Sequence, residues 1–243
     1  ENIDRLHARG VRVVISVDCG MRSAEAGERA AELGIDLIIT DHHEPEGVLP
    51  KALSVINPKR PDCLYPNKEL AGVGVTLKLV QALCIRTGRE EWIPGFLKLA
   101  AIGTVADVVP LKSENRVIAY LGLALTSEGP NTIGLDALLD VSGLRGRRLL
   151  GSDVAFGLAP RLNAAGRMSS PDIAARLLLT SSSTLRSEAH SLAEQLDDEN
   201  SRRREEEADL VARAKEELTT NPTVSSKMVL VLSLIHISEP TRR

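Results

Sequence analysis

Aromatic residues are nearly missing from this chain: one Trp, two Tyr and two Phe in 243 residues. Tyr65, Trp92, Phe96, Tyr120 and Phe156 give few π-faces on which nucleobases could stack. Cysteine is scarce as well. Cys19, Cys63 and Cys84 have no C-x-x-C spacing, and an odd count argues against a disulfide framework. That usage fits a reduced, cytoplasmic setting. No apolar run approaches the roughly 20 residues that span a bilayer, and the opening ENIDRLHARG has no signal-peptide core. Neither sign of charge dominates. With a formal net charge of −3, no global positive field draws the chain to nucleic acid or membrane, so polyanion binding must come from local clusters. A P-loop, a dinucleotide fingerprint and a Ser–His–Asp or Cys–His nucleophile are all missing.

What remains is ordinary globular material, 43% hydrophobic and 26% charged, long enough for one large domain or two small ones. The stretch GIDLIITDHHEP (Gly34–Pro45) organises it. Ile35–Thr40 is a β-branched apolar run that reads as a buried strand delivering Asp41, His42 and His43 in succession. Earlier, Val11–Val17 ends in Asp18-Cys19-Gly20, and Ser23–Leu33 between the two runs predicts a helix with Ser23 as N-cap. Strand, helix and strand at that spacing form a βαβ unit with a right-handed crossover. Both acidic loops then leave the carboxyl edge of one parallel sheet, where open α/β sheets place their ligands.

Farther along, Leu53–Ile56 predicts a third short strand, and NPKRPDCLYPN a loop whose prolines forbid regular structure. Ala71-Gly72-Val73-Gly74 opens a helix to about Arg86; its glycines serve either a phosphate approach or close helix packing. Trp92–Ala106 is a further apolar helix that empties into Asp107. An Asp among Val105, Ala106, Val108 and Val109 is expected to be buried, either paired within the fold or holding a metal. Asn115–Leu125 and Leu135–Leu139 continue a helical region. Arg145, Arg147 and Arg148 read as a solvated basic turn. Arg161, Asn163 and Arg167 in APRLNAAGRM suit phosphate oxygens or decorate a helix C-cap loop. Pro171–Leu179 predicts a helix, and Ser183–Leu218 one long helix without Gly or Pro. Its middle, Asp197–Glu207, has no apolar residue and is expected to bridge solvent between two packed bodies. Arg202–Arg204 there either touch a polyanion or lace a solvated face. Lys227–Leu232 begins another strand, and Ser233–Arg243 reads as a non-native tail left out of the fold.

Two carboxylates and two imidazoles at one rim, with Asp107 available, favour Mn²⁺ or Mg²⁺ over a structural zinc site. Two such ions about 3.5–4 Å apart would form the clamp used for phosphoester hydrolysis.

In order and spacing, D-C-G, I-I-T-D-H-H-E, A-G-V-G-V-x-x-K-L, G-T-V-A-D-V-V-P-L and A-P-R-L-N-A-A-G-R-M closely resemble the DHH phosphoesterase superfamily. Within it they look like the branch of single-strand-specific 5′→3′ DNA exonucleases. The resemblance covers roughly residues 1–232. It implies an α/β fold: a parallel-sheet DHH domain over residues 1–180 with helices on both faces, then a helical region and a connector helix over 181–220. A truncated DHHA1-type domain would begin at 227–232. It also implies that Asp18 bridges two Mn²⁺ or Mg²⁺ ions that His42 and Asp107 ligate. His43 would meet the scissile phosphate, Asp41 would orient the histidines, and Arg161, Asn163 and Arg167 would hold the DNA backbone or nucleotide. Single-stranded DNA is the implied partner, with a single-strand-binding protein and a helicase as accessory ones, and a monomer the default state. The superfamily's Asp-rich D-x-D element, the DHHA1 domain and an oligonucleotide-binding fold are not in this sequence, so the chain is expected to be an internal fragment with little or no activity alone. The alternatives are another DHH enzyme, acting on short oligonucleotides or pyrophosphate, and a metal-free DHH-like replication scaffold.

Overall fold

The computed structural model describes residues 2–220, with side chains to 216. The predicted strand at 227–232 and the tail at 233–243 lie outside the described residues. Two compact units divide after Gly129, inside the span 1–180 that the sequence suggests as one domain.

The first unit is α/β. Helix α1 (Asn2–Ala8) leads into β1 (Val13–Val17), then α2 (Ala24–Glu32), β2 (Asp36–Thr40) and β3 (Ser54–Ile56). The three strands form one parallel sheet in the order β1-β2-β3, with Val13 opposite Asp36 and Ile38 opposite Ser54. Alternation along β2 explains how both faces are covered. Leu37 and Ile39 join Met21, Ala30 and Ile35 in a core on the α2 side. Thr40 faces the other way: its hydroxyl donates to Ser16 O at 2.9 Å and lies 3.1 Å from Thr76 on α3 (Gly72–Thr87). Val13, Ile15 and Val17 on β1 stay about half exposed. Ser23 does sit at the N-cap of α2, but its side chain makes no capping hydrogen bond.

Helix α3 is followed by α4 (Ile93–Ala106) and α5 (Ser113–Glu128), which share a core of Leu70, Val75, Leu77, Ala100 and Ile118. Small residues set how closely these helices approach. A Cβ on Gly103 of α4 would come within 2.9 Å of Val73 Cγ1, and one on Gly122 of α5 would fall on the Leu97 carbonyl of α4. The Pro-rich loop is irregular yet pinned. Lys68 Nζ donates to Pro58 O at 2.7 Å and to Cys63 O at 2.5 Å, and Arg60 reaches the Val55 carbonyl.

The second unit is helical. Helix α6 (Ile133–Val141) precedes α7 (Gly151–Asp153), which runs through a π-turn at Val154–Leu158 into α8 (Ala159–Met168). Next come α9 (Asp172–Leu179) and α10 (Arg186–Thr220), on which α6, α8 and α9 pack. Ala189, Leu192 and Leu196 are buried, while Leu185 and Val211 stay open. The polar middle of α10 does not simply bridge solvent. Glu199 is 5% exposed and accepts from Ser169 Oγ at 2.7 Å, and Asp197 accepts from Arg161 Nε at 2.8 Å. Polar residues pack here because α8 supplies matching donors. Arg145 closes the basic turn on Asp136 and Asp140. No helix among the described residues is long and apolar enough to cross a membrane.

Replacing Gly122 with Ala forces a methyl into the Leu97 backbone and is expected to cost about 1–3 kcal/mol. Gly95, with nothing within 4 Å of its Cβ position, is the control: Gly95→Ala should be neutral or stabilising by up to about 1 kcal/mol. Urea midpoints that match for the two variants would refute this account of the α4–α5 approach.

Candidate metal centre

Each acidic residue of the centre sits where a strand or helix ends. Asp18 follows β1 with φ 59°, a left-handed conformation that Asp tolerates better than most residues. Its N–H donates to Thr40 O at 2.9 Å, and the N–H of Asp41 to Ile56 O at 3.0 Å, so the ladder extends one step into both loops. The Asp18 carboxylate lies against the first residue of α3. A Cβ on Gly72 would overlap its Oδ1. Close packing is therefore the role of this glycine, and the atom it admits is a carboxylate oxygen of the protein itself. A helix N-terminus suits that negative charge.

Asp41 is 1% exposed. Its Oδ2 accepts from Met21 N at 3.0 Å; its Oδ1 accepts from His42 N at 2.8 Å, from His43 N at 3.2 Å and lies 2.7 Å from His43 Nδ1. Burial pushes the carboxyl up, but the donors of Met21, His43 and His42 outweigh it and hold Asp41 below the usual carboxylate range. Those bonds satisfy Asp41 within its own turn. They also fix the His43 ring, whose centroid is 4.7 Å from that of His42.

His42 Nε2 lies 3.2 Å from Asp18 Oδ1 and 3.5 Å from Asp107 Oδ2. Asp18, His42 and His43 each offer a ligand atom, all within 4.8 Å of one another. Asp107 caps the end of α4, one turn beyond the glycine that lets α4 approach Val73. It is less buried than its apolar neighbours suggest: its side chain is 19% exposed. Val108 adopts φ 61° and turns outward, 81% exposed. The apolar run therefore breaks at Asp107, while its Oδ2 atom, facing His42, stays buried.

The donor set fits a divalent cation. An imidazole nitrogen wedged between two carboxylate oxygens is where a proton or a metal relieves the same repulsion. The hydrogen bond to Asp18 raises His42 above its ordinary 6.5 despite burial, and Asp107 adds to the effect.

Arg161, Asn163 and Arg167 belong to the second unit. All three lie within α8, not in a C-cap loop. Arg161 is largely engaged there, donating to Asp197 and to Gly157 O at 2.8 Å each, while Asn163 is exposed. Sequence reasoning missed Asn57 and Lys59. Asn57, 2% exposed, donates to the His43 carbonyl at 2.8 Å; a lone Asn after a strand gave no signal.

A βαβ sheet with carboxylates and imidazoles at its carboxyl rim defines a class of α/β folds with a site suited to a divalent cation. Residues 2–104 match the DHH family, N-terminal domain. More particularly, the chain is 41% identical over 215 residues to the single-stranded-DNA-specific exonuclease RecJ of Escherichia coli, covering 84% of this chain and 37% of that protein. To RecJ of Bacillus subtilis it is 46% identical over 195 residues, covering 80% and 24%. The structure of RecJ from Thermus thermophilus in complex with Mn²⁺ aligns with a TM-score of 0.75 at 34% identity, over 90% of this chain and 32% of that one. The chain thus spans well under half the length of these relatives.

Two outcomes follow. Gly72→Ala should push Asp18 off α3 and lower Mn²⁺ affinity at least about tenfold by titration calorimetry, with helix content unchanged. Unaltered affinity would sink the packing argument. Because the folded-state pKa of His42 is raised, a proton competes with the metal to higher pH than for an ordinary imidazole. Mn²⁺ affinity should therefore fall with decreasing pH, starting above 6.5. By the same sign, the metal-free fold is stabilised by His42 below 6.5 and loses this as pH rises through the raised value, whereas Asp41 stabilises above the usual carboxylate range and is lost as pH falls through its lowered value.

Proposed function

We propose that this chain provides the metal centre of a RecJ-like nuclease: a single-strand-specific 5′→3′ DNA exonuclease that releases mononucleotides during DNA repair and recombination. The observation that carries the reading is the convergence of Asp18 and Asp107 on His42 Nε2, beside a His43 held by buried Asp41. Two Mn²⁺ or Mg²⁺ ions, once bound, would supply an acidified water and neutralise phosphoryl charge.

The protein's own groups do the rest. Asp18, His42 and Asp107 would hold the ions. Asp41 orients from behind: its contact with His43 Nδ1 directs Nε2 outward, where it donates to a non-bridging phosphate oxygen as charge develops. On α8, Arg167 and Asn163 would hold the DNA backbone, and Arg161 braces the helix through Asp197 more than it contacts nucleotide. The substrate is single-stranded DNA, and the setting a cytoplasmic one. A single-strand-binding protein and a helicase would be accessory partners of a monomeric enzyme.

The test uses a chain of the length of its RecJ relatives and 5′-labelled single-stranded DNA with a duplex control. Mn²⁺-dependent mononucleotide release from the single strand is expected, and Asp18→Ala should abolish it. His43→Ala should lower kcat by about 10²–10³ while Mn²⁺ still binds, the loss typical of one oxyanion donor. Hydrolysis confined to pyrophosphate or to di- and trinucleotides would overturn the substrate.

A further inference from the structure

The Pro-rich loop carries a cation to the metal rim. Asn57 bonds the His43 carbonyl through Nδ2 and accepts the Lys59 N–H through Oδ1, both at 2.8 Å. One buried amide thus ties the backbone of Lys59 to the D-H-H turn. Pro58 fixes the backbone between them, and Lys68 grips the Pro58 carbonyl from behind at 2.7 Å. The placement of Lys59 is therefore built into the loop.

Its side chain is 22% exposed, and Nζ stands 3.2 Å from Oε1 of Glu44, the residue that follows His43; the Glu44 side chain is itself 72% exposed. An ion pair whose carboxylate is this open to solvent contributes little to stability. Holding Glu44 is thus a weak reason to anchor a lysine so firmly. An ammonium has three donors, and Glu44 is the ion-pair partner of Lys59 among the described residues.

We infer that Lys59 binds a non-bridging oxygen of the substrate phosphate at the metal rim, exchanging Glu44 for the phosphate when substrate arrives. The chemistry is that of a compact, flexible point charge meeting an oxyanion. Glu44 would hold the ammonium in place between turnovers. This assignment rests on the phosphoesterase reading above and adds to it a substrate contact on the loop after β3.

The experiment compares wild type, Lys59→Met, Lys59→Arg and Glu44→Gln in the Mn²⁺-loaded, RecJ-length chain, with inorganic phosphate and single-stranded DNA as probes. Lys59→Met should weaken both probes several-fold and raise KM more than it lowers kcat. It should also flatten the slope of log affinity against log salt for DNA by about 0.7, the loss of one single-strand phosphate contact. Lys59→Arg should keep the slope. Glu44→Gln, which frees the ammonium, should tighten phosphate, and this arm stands even where Lys59→Met fails to fold. Equal phosphate affinity in wild type and Lys59→Met, or a changed Mn²⁺ titration with an unmoved salt slope, would overturn the assignment. A wild type that takes phosphate but not DNA would overturn the exonuclease reading alone, and weaker phosphate binding by Lys59→Met would still support the lysine.

Discussion

A carboxylate buried at the end of a strand holds the centre together. Leaving Asp41 unpaired at 1% exposure would cost several kcal/mol, so the chain must bring donors to it. Met21 arrives from the loop after β1, and His42 and His43 from the carboxylate's own turn. Meeting that demand closes the D-H-H turn, joins the β1 and β2 loops and sets one ring nitrogen of His43. The placement of the His43 ring is thus a consequence of satisfying a buried charge.

Close approach is the second constraint. Gly72 lets Asp18 rest on α3, and Gly103 lets the end of α4 reach the start of α3 beside Val73. Through these contacts Asp107, far away in sequence, comes within 3.5 Å of the nitrogen that Asp18 also faces. Side chains at either glycine would move these carboxylates away from the His42 nitrogen they share. In the second unit the logic is polar: Glu199 and Asp197 lie along α10 as acceptors, and Ser169 and Arg161 meet them from α8 and its end. A helix stretch without apolar residues can still pack when its partners carry matching donors.

Much of this was legible in the residues. The β-branched apolar runs and the punctuation by Gly34 and Pro45 gave the βαβ unit, the parallel pairing and the rim on which Asp18, Asp41, His42 and His43 meet, because strand propensity and crossover handedness are local rules. Most helices after residue 70 followed from their apolar content, but α8 did not read as a helix. Less was legible where distant groups decide the outcome. Asp107 looked wholly enclosed because its neighbours in sequence are apolar; its Oδ2 is buried, yet a left-handed Val108 turns outward beside it. Arg161 looked available, yet Asp197 engages it.

The sequence by itself determined which chemistry is present and which edge of the sheet displays it, since residue type and period are local properties. The tertiary structure decided which groups are already occupied: Asp41 by its own turn, Arg161 by α10, and the space before Asp18 by the bare backbone of Gly72. Occupancy depends on contacts between residues far apart in the chain, and those distances exist only once the glycines have let the helices and the sheet come together.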